Sequence, residues 1–130
     1  MESDNRKAII LPHDHGRNDS HILELMPGEK QCGEAAEIFH QLSDGTRLQI
    51  LWLLCHSEEC VCNIAAAVGM SMPAVSHHLR SLKQSGLIDS RRVGKEVYYT
   101  LMDTPKARLV HKMIDDVFEM NCPGMAHLDL

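Results

Sequence analysis

Gly69 separates two stretches with helical patterns, and this interruption constrains the fold more than any other feature of the sequence. The alanine-rich stretch Val61–Val68 predicts a short helix that Gly69 can end in a left-handed turn. Ser71 is a natural N-cap, and Pro73 fits the first turn of a second helix that runs to about Ser85. A helix, a turn of three or four residues and a second helix together predict a helix-turn-helix, an arrangement used to bind DNA.

The residues that follow predict a β-hairpin. Two β-prone runs, 87–92 and 97–102, flank a turn that contains Gly94. Amphipathic or apolar patterns predict further helices over about 30–41, 46–55 and 105–121. The predicted fold class is therefore mostly α with a β-hairpin wing, a winged helix-turn-helix. The last helix has so broad an apolar face that we expect it to pair with the first helix and with a second protomer, which predicts a dimeric protein.

The chain divides by composition into three parts. Residues 1–29 are polar, contain prolines and glycines, and predict a flexible His-containing N-terminal arm with one short apolar turn near 22–26. Residues 30–121 form the predicted winged-helix DNA-binding and dimerisation domain, and residues 122–130 form a C-terminal tail. We expect a cytoplasmic protein without a membrane partner, because there is no long apolar run and the N-terminus does not resemble a signal peptide.

Charge is distributed unevenly along the chain. The net charge is −5, which is unexpected for a protein that binds DNA. Between residues 71 and 100, however, five basic side chains stand against two acidic ones, so that this stretch is +3 and the remainder is −8. A basic patch on an acidic body can bind phosphates while the body limits non-specific binding.

Cys60 and Cys62 stand at the start of the first helix of the helix-turn-helix. Side chains at positions i and i+2 of a regular helix do not face each other, so both thiols can bind one ion only at a frayed helix start. The chain has five cysteines, and this odd count in a cytosolic protein argues against a complete set of disulfides. Thiolates favour Zn(II), Cd(II), Pb(II), Cu(I) or As(III) over hard ions. The alternative is that both cysteines are small core residues.

Other residues of the chain also have side chains that can bind metal. His13 and His15 in the arm are candidate ligands, or else solvated loop residues. A histidine ligand favours Zn(II) or Cd(II) and disfavours As(III). Cys32 is a candidate third thiolate or an ordinary helix residue, whereas Cys55 is expected in the core. His111 is expected on a solvated helix face rather than in a metal site.

The second helix and the hairpin carry side chains suited to DNA. Several lie on one face of the helix and are expected at base edges, and the others are expected at the phosphate backbone. The alternative is a solvated protein surface. The predicted DNA-binding residues are Ser71, Ser76, His77 and Arg80 at the groove, with Lys83, Gln84, Arg91, Arg92 and Lys95 on phosphates.

Four segments, in this order and spacing, resemble the ArsR/SmtB family of metal-responsive repressors: 42–48, 60–64, 75–80 and 94–99. The resemblance covers about residues 30–121. It implies a homodimer that binds palindromic double-stranded operator DNA and leaves it when metal binds. By this resemblance Cys60 and Cys62 match the family's thiolate sensor, and arm ligands fall near His13. The expected inducer is Zn, Cd or Pb, with Cu(I) or As(III) less favoured.

The sequence departs from the family pattern at two places. Asn63 stands where many members have Asp after the second cysteine. The family's second site, on the last helix, is half intact: Asp103 and Glu119 match, but Pro105 and Asp116 stand where histidines are usual. We retain Asp103, Asp116 and Glu119 as a secondary candidate metal site.

Two other functions compete with metal sensing. The first is a repressor on the same fold whose thiols react with oxidant or persulfide. The second is a winged-helix module that binds proteins rather than DNA. No paired acid and base, phosphate loop or nucleophile motif is found, so the chain is predicted not to be an enzyme.

Overall fold

The computed structural model describes residues 9–16 and 19–119. It is mostly helical with one small sheet, as predicted. The helices are α1 (Asp19–Leu25), α2 (Glu29–Leu42), α3 (Gly45–His56), α4 (Val61–Val68), α5 (Met72–Gln84) and α6 (Pro105–Val117). The strands are β1 (Glu59–Cys60), β2 (Ile88–Val93) and β3 (Glu96–Leu101).

The chain divides into two compact units, residues 1–37 and 38–130, at a point inside α2. The first unit contains α1 and the first part of α2. The apolar turn predicted near residues 22–26 is in fact a helix of seven residues that already begins at Asp19. None of its residues is buried, and Ile22 and Leu25 are exposed.

The second unit is built around α3, which is apolar on nearly all sides. Its N-terminus is capped by Asp44, whose carboxylate accepts a hydrogen bond from the Arg47 backbone N–H at 2.9 Å. This hydrogen bond lowers the pKa of Asp44, with the nearby Arg47 charge as a smaller contribution. Cys55 packs against the core, as predicted. The core consists of Ile50, Leu51, Leu54, Ile64, Ala65, Val75, Leu79, Leu82, Leu87, Ile88, Val110 and Ile114.

The predicted helix-turn-helix is confirmed. Helix α4 ends at Gly69, which adopts the left-handed conformation with φ 68°. Ser71 then caps α5, its hydroxyl oxygen accepting a hydrogen bond from the Ala74 N–H at 3.3 Å. Helix α5 packs on α4 through its buried face and leaves its other side chains accessible.

The wing has three strands, in the order β1-β3-β2, rather than the two of the predicted hairpin. Strand β1 places Cys60 opposite Tyr98 and Glu59 opposite Tyr99. Gly94 takes the first position of the turn between β2 and β3 with φ 62°, a conformation that matches the twist of a tight hairpin.

Helix α6 ends at Val117, although the apolar pattern predicted it to about residue 121. Residues 120–130, which include the predicted tail, lie outside the described residues. Val110 and Ile114 are buried against the core, whereas Leu109 and Val117 are 58% and 73% exposed. In the part of the chain that the structure describes, no helix is long and apolar enough to cross a membrane.

Candidate DNA interface and metal centres

The outer surface of α5 carries the side chains predicted to contact base edges. Ser71, His77 and Arg80 are exposed and Ser76 is half-buried, while Val75, Leu79 and Leu82 of the same helix are buried in the core. The turn at Gly69 and the Ser71 cap fix where this surface begins. It is therefore a rigid, accessible helix face of the kind that enters a major groove.

Two of the side chains that are predicted to contact the phosphate backbone of DNA lie at the end of α5. Lys83 and Gln84 are both exposed. The Lys83 ammonium donates a hydrogen bond to the Ser90 hydroxyl at 2.6 Å, which joins the last turn of α5 to β2. The helix and the wing thus present their basic groups on connected elements.

The three wing side chains that are predicted to contact phosphates differ in their partners within the protein. The Arg91 guanidinium donates two hydrogen bonds to the Glu58 carboxylate, at 2.6 and 2.7 Å. This interaction lowers the pKa of Glu58 and offsets the charge of Arg91. Arg92 donates from Nε to the Gly94 carbonyl oxygen at 3.3 Å, and Lys95 is exposed in the turn. Arg92 and Lys95 therefore keep positive charges that no acidic partner offsets in the described chain.

Cys60 and Cys62 are free thiols at the junction of β1 and α4. Cys60 is the N-cap residue of α4, with extended backbone at φ −82° and ψ 164°, whereas Cys62 already lies in the first turn of that helix. Cys60 is buried and Cys62 is exposed. One thiol is thus anchored in the fold while the other faces solvent.

Glu59, which precedes Cys60, has a carboxylate that is hydrogen-bonded to its neighbours. The Glu59 carboxylate accepts hydrogen bonds from the Ser57 hydroxyl at 2.6 Å and from the Asn63 amide at 3.1 Å. These bonds lower the pKa of Glu59, chiefly the one from Ser57. Among the described residues of the second unit, no histidine, cysteine or carboxylate completes a three-ligand cluster with the two thiols.

The first unit contains three of the candidate ligands. His13 and His15 are exposed and stack with their ring centroids 5.8 Å apart. Cys32 is also exposed, and its Sγ lies 3.8 Å from the Pro27 carbonyl oxygen. All three side chains are accessible to an ion, and their role as ligands stays a prediction.

The secondary set on the last helix is not gathered into one cluster within a single chain, as far as the described residues go. Asp103 pairs with Arg108 at 2.5 Å, and Asp116 pairs with Lys112 at 3.3 Å. Glu119 follows the end of α6 with a positive φ of 53°. This set also stays a prediction.

A different group of metal-binding side chains does come together. His56, the last residue of α3, meets His111 and Asp115 of α6, with ligand atoms all within 4.8 Å of one another. The expectation that His111 lies on a solvated face is wrong, because its side chain is only 13% exposed. Burial lowers the pKa of His111, and His56 adds to this effect while Asp115 opposes it. The spacing of His111 and Asp115, one turn apart, was the available sequence signal.

The sequence and structure were compared with known proteins. Residues 44–90 match the family described as "Bacterial regulatory protein, arsR family". A transcriptional repressor SmtB homolog from Synechocystis is 42% identical over 68% of this chain and 67% of its own. The chain therefore belongs to the arsR family. A cadmium resistance transcriptional regulatory protein CadC homolog from Staphylococcus aureus is 42% identical over 61% of this chain and 66% of its own.

A solved structure confirms the fold class of this arsR-family chain. The homodimeric winged helix-turn-helix DNA-binding domain of a possible ArsR-family transcriptional regulator from Mycobacterium bovis is 30% identical, with a TM-score of 0.60. The match covers 82% of this chain and 91% of that one. The winged helix-turn-helix is thus established, and membership in a family of regulatory proteins confirms the prediction that the chain is not an enzyme.

Proposed function

We propose that this protein is a transcriptional repressor that binds palindromic operator DNA as a homodimer and releases it when a Zn(II), Cd(II) or Pb(II) ion binds at Cys60 and Cys62. The observation that carries this proposal is the position of the thiol pair. Cys60 is at once the N-cap of α4 and a residue of β1, so one potential ligand belongs to both the helix-turn-helix and the wing.

This position gives metal binding a route to the DNA-binding surface. Helix α4 packs directly on α5, and β1 pairs with β3, the inner strand of the wing. An ion held by Cys60 and Cys62 constrains the start of α4 and the sheet edge together. A small change there displaces the base-reading helix relative to the wing, which weakens binding to DNA of fixed groove geometry.

His13, His15 and Cys32 are proposed as further ligands, as the sequence predicts, and among the described residues of the second unit none completes a three-ligand cluster with the two thiols. A soft or borderline ion needs three or four ligands. His13, His15 and Cys32 offer accessible imidazole and thiol groups for this purpose. Removing each in turn should lower metal affinity if it is a ligand.

A homodimer is supported by two observations. The relative from Mycobacterium bovis is homodimeric. In this chain, α6 exposes Leu109, Val117 and the adjoining Phe118 beside its buried face. A two-fold axis through such a surface places two α5 helices in successive major grooves, which predicts half-sites about 10–10.5 base pairs apart.

Cadmium titration of the reduced, metal-free protein tests the sensor site. We expect a saturable ultraviolet thiolate-to-cadmium charge-transfer band that is lost in both Cys60→Ser and Cys62→Ser. Cys55→Ala is the matched control, since this thiol packs against the core and is not one of the proposed ligands. In parallel, fluorescence anisotropy of a labelled operator duplex should report release by cadmium in the parent and in Cys55→Ala only.

The outcomes separate the proposal from its alternatives. A band that persists in both serine variants contradicts the assignment of the sensor to these thiols. Release by peroxide or persulfide but not by metal would favour redox sensing on the same fold. Absence of any salt-sensitive DNA binding would favour a module that binds proteins instead.

A further inference from the structure

We propose that His56, His111 and Asp115 of each protomer bind a second divalent metal ion of the Zn(II) class, at a site separate from the thiols and made of nitrogen and oxygen ligands. This site joins the C-terminal end of α3 to the middle of α6. It uses one chain only and stands whether or not Cys60 and Cys62 are a sensor.

The spacing of the ligand atoms fits a single ion. The Nε2 atom of His56 lies 3.4 Å from Oδ1 of Asp115, and Nε2 of His111 lies 3.3 Å from Oδ2 of the same carboxylate. Zinc bonds to nitrogen and oxygen are about 2.0–2.2 Å long, so neighbouring ligand atoms of a tetrahedral site are about 3.3–3.5 Å apart. Each histidine nitrogen is therefore about one such edge from one oxygen of the shared carboxylate, and the ligand atoms of the three residues all lie within 4.8 Å of one another.

The tautomer of His56 points to a cation between the three side chains. Its Nδ1 lies 2.6 Å from the Trp52 carbonyl oxygen, which can only accept a hydrogen bond, so Nδ1 carries the proton. In the neutral ring, Nε2 then presents a lone pair to the Asp115 carboxylate. Two acceptors so close together repel unless a cation lies between them. A histidine that donates one ring N–H to a carbonyl while its other nitrogen binds metal is the usual ligand arrangement.

The burial of the three side chains also supports a bound cation. In the described chain, His56 Nε2, His111 Nε2 and Asp115 Oδ1 are buried and have no hydrogen-bond partner. The Asp115 side chain is only 8% exposed, and its recorded ionic partners are these two histidines rather than a lysine or arginine. A buried carboxylate needs a compensating positive charge. A divalent ion supplies that charge and satisfies all three atoms at once.

The donor set selects the class of metal. Two imidazoles and one carboxylate suit Zn(II), and Co(II) is a spectroscopic substitute, whereas Pb(II) and As(III) favour thiolates. Three protein ligands leave a position for a water molecule. Because the ion bridges α3 and α6, it stabilises the helix that carries the exposed apolar surface.

The test uses the full chain with both Cys60→Ser and Cys62→Ser, so that failure of the thiol sensor does not affect the result. Co(II) titration should give visible d–d bands saturating at one ion per protomer, without a thiolate band, and Zn(II) should displace it. Adding His111→Gln or Asp115→Asn should weaken Co(II) binding by at least about tenfold. Asp89→Asn is the matched control, because this aspartate is exposed on β2 and belongs to neither candidate metal site. Asp116→Asn tests instead whether the ion lies in the Asp103, Asp116 and Glu119 set.

A second measurement needs no ligand variant and therefore does not depend on their folding. Histidine ring resonances of the double serine protein are followed by NMR as Zn(II) is added, and those of His56 and His111 should shift at one equivalent. No Co(II) bands, or no shift of these two resonances, overturns the proposal. Equal loss of Co(II) in Asp116→Asn also overturns it, by moving the ion to the Asp103, Asp116 and Glu119 set.

Discussion

Glu58 limits the positive charge that the wing offers to DNA. Its carboxylate accepts two hydrogen bonds from Arg91, so this arginine is neutralised in the free protein. Glu58→Gln removes the negative charge while keeping the length of the side chain. We expect the variant to bind operator DNA more tightly at low salt, because each freed Arg91 can contact a phosphate instead.

The expected size follows from counterion release. Each phosphate contact steepens the dependence of log affinity on log salt by about 0.9. A dimer frees two arginines, so the slope should become more negative by about 1.8. Between 50 and 200 mM salt, a fourfold change, the variant should therefore lose about 12-fold more affinity than the parent.

Fluorescence anisotropy of a labelled operator duplex, measured with metal-free protein at several salt concentrations, gives both slopes. Glu59→Gln is the matched control, because it removes the same charge from the next residue, whose partners are Ser57 and Asn63 rather than an arginine. A Glu58→Gln slope equal to that of the parent would refute the reasoning. An equal change in both variants would assign the effect to net charge and not to Arg91.

The remaining predictions concern stability and base reading. Asp44→Ala should destabilise the fold by about 1 kcal/mol in urea unfolding at neutral pH, since it removes the α3 cap. Folding lowers the pKa of Asp44, so the difference in free energy of unfolding between the parent and Asp44→Ala is complete above the ordinary pKa of 3.8 and should shrink as the pH falls below it. A difference that stays constant down to acid pH would contradict this. Ile64→Ala, at a fully buried position of α4, should cost about 2–5 kcal/mol, and a loss below 1 kcal/mol would show that the site collapses. Arg80→Ala should weaken operator binding by about 1–3 kcal/mol more than binding to a scrambled duplex, whereas Lys95→Ala should weaken both equally, and the reverse pattern would exchange their assigned roles.

The elements with strong local signals were predictable from sequence. Gly69 and Ser71 fix both sides of the turn in the helix-turn-helix by their own backbone and capping chemistry, and no distant contact is needed. Strand β1 was missed because two residues are too few for any periodic pattern, and its conformation depends on pairing with Tyr98 and Tyr99. The apolar pattern predicts an α6 that is too long, because the pattern continues beyond Val117 whereas the helix ends there.

The candidate sites show the same division. Cys60 and Cys62 were found because their spacing and their place before α4 can be read directly. The sequence does not predict that Glu58 is the partner of Arg91, since the two residues are 33 positions apart and only the folded sheet brings them together. His111 and Asp115 form a readable pair one helical turn apart, but His56 joins them only when α3 packs against α6.

The segment from Ser57 to Cys62 connects the proposed thiol site to the wing and to the helix-turn-helix. Within it, Glu58 bonds to Arg91 of β2 and Cys60 pairs with Tyr98 of β3, while the following residues start α4. Any displacement of this segment is therefore expected to reach both the wing and the helix-turn-helix. Coupling of about 1–3 kcal/mol corresponds to about a 5–150-fold change in DNA affinity. By the same linkage, DNA should weaken metal binding to the proposed sensor by an equal factor, so we expect the operator-bound protein to require more metal than the free protein before it responds.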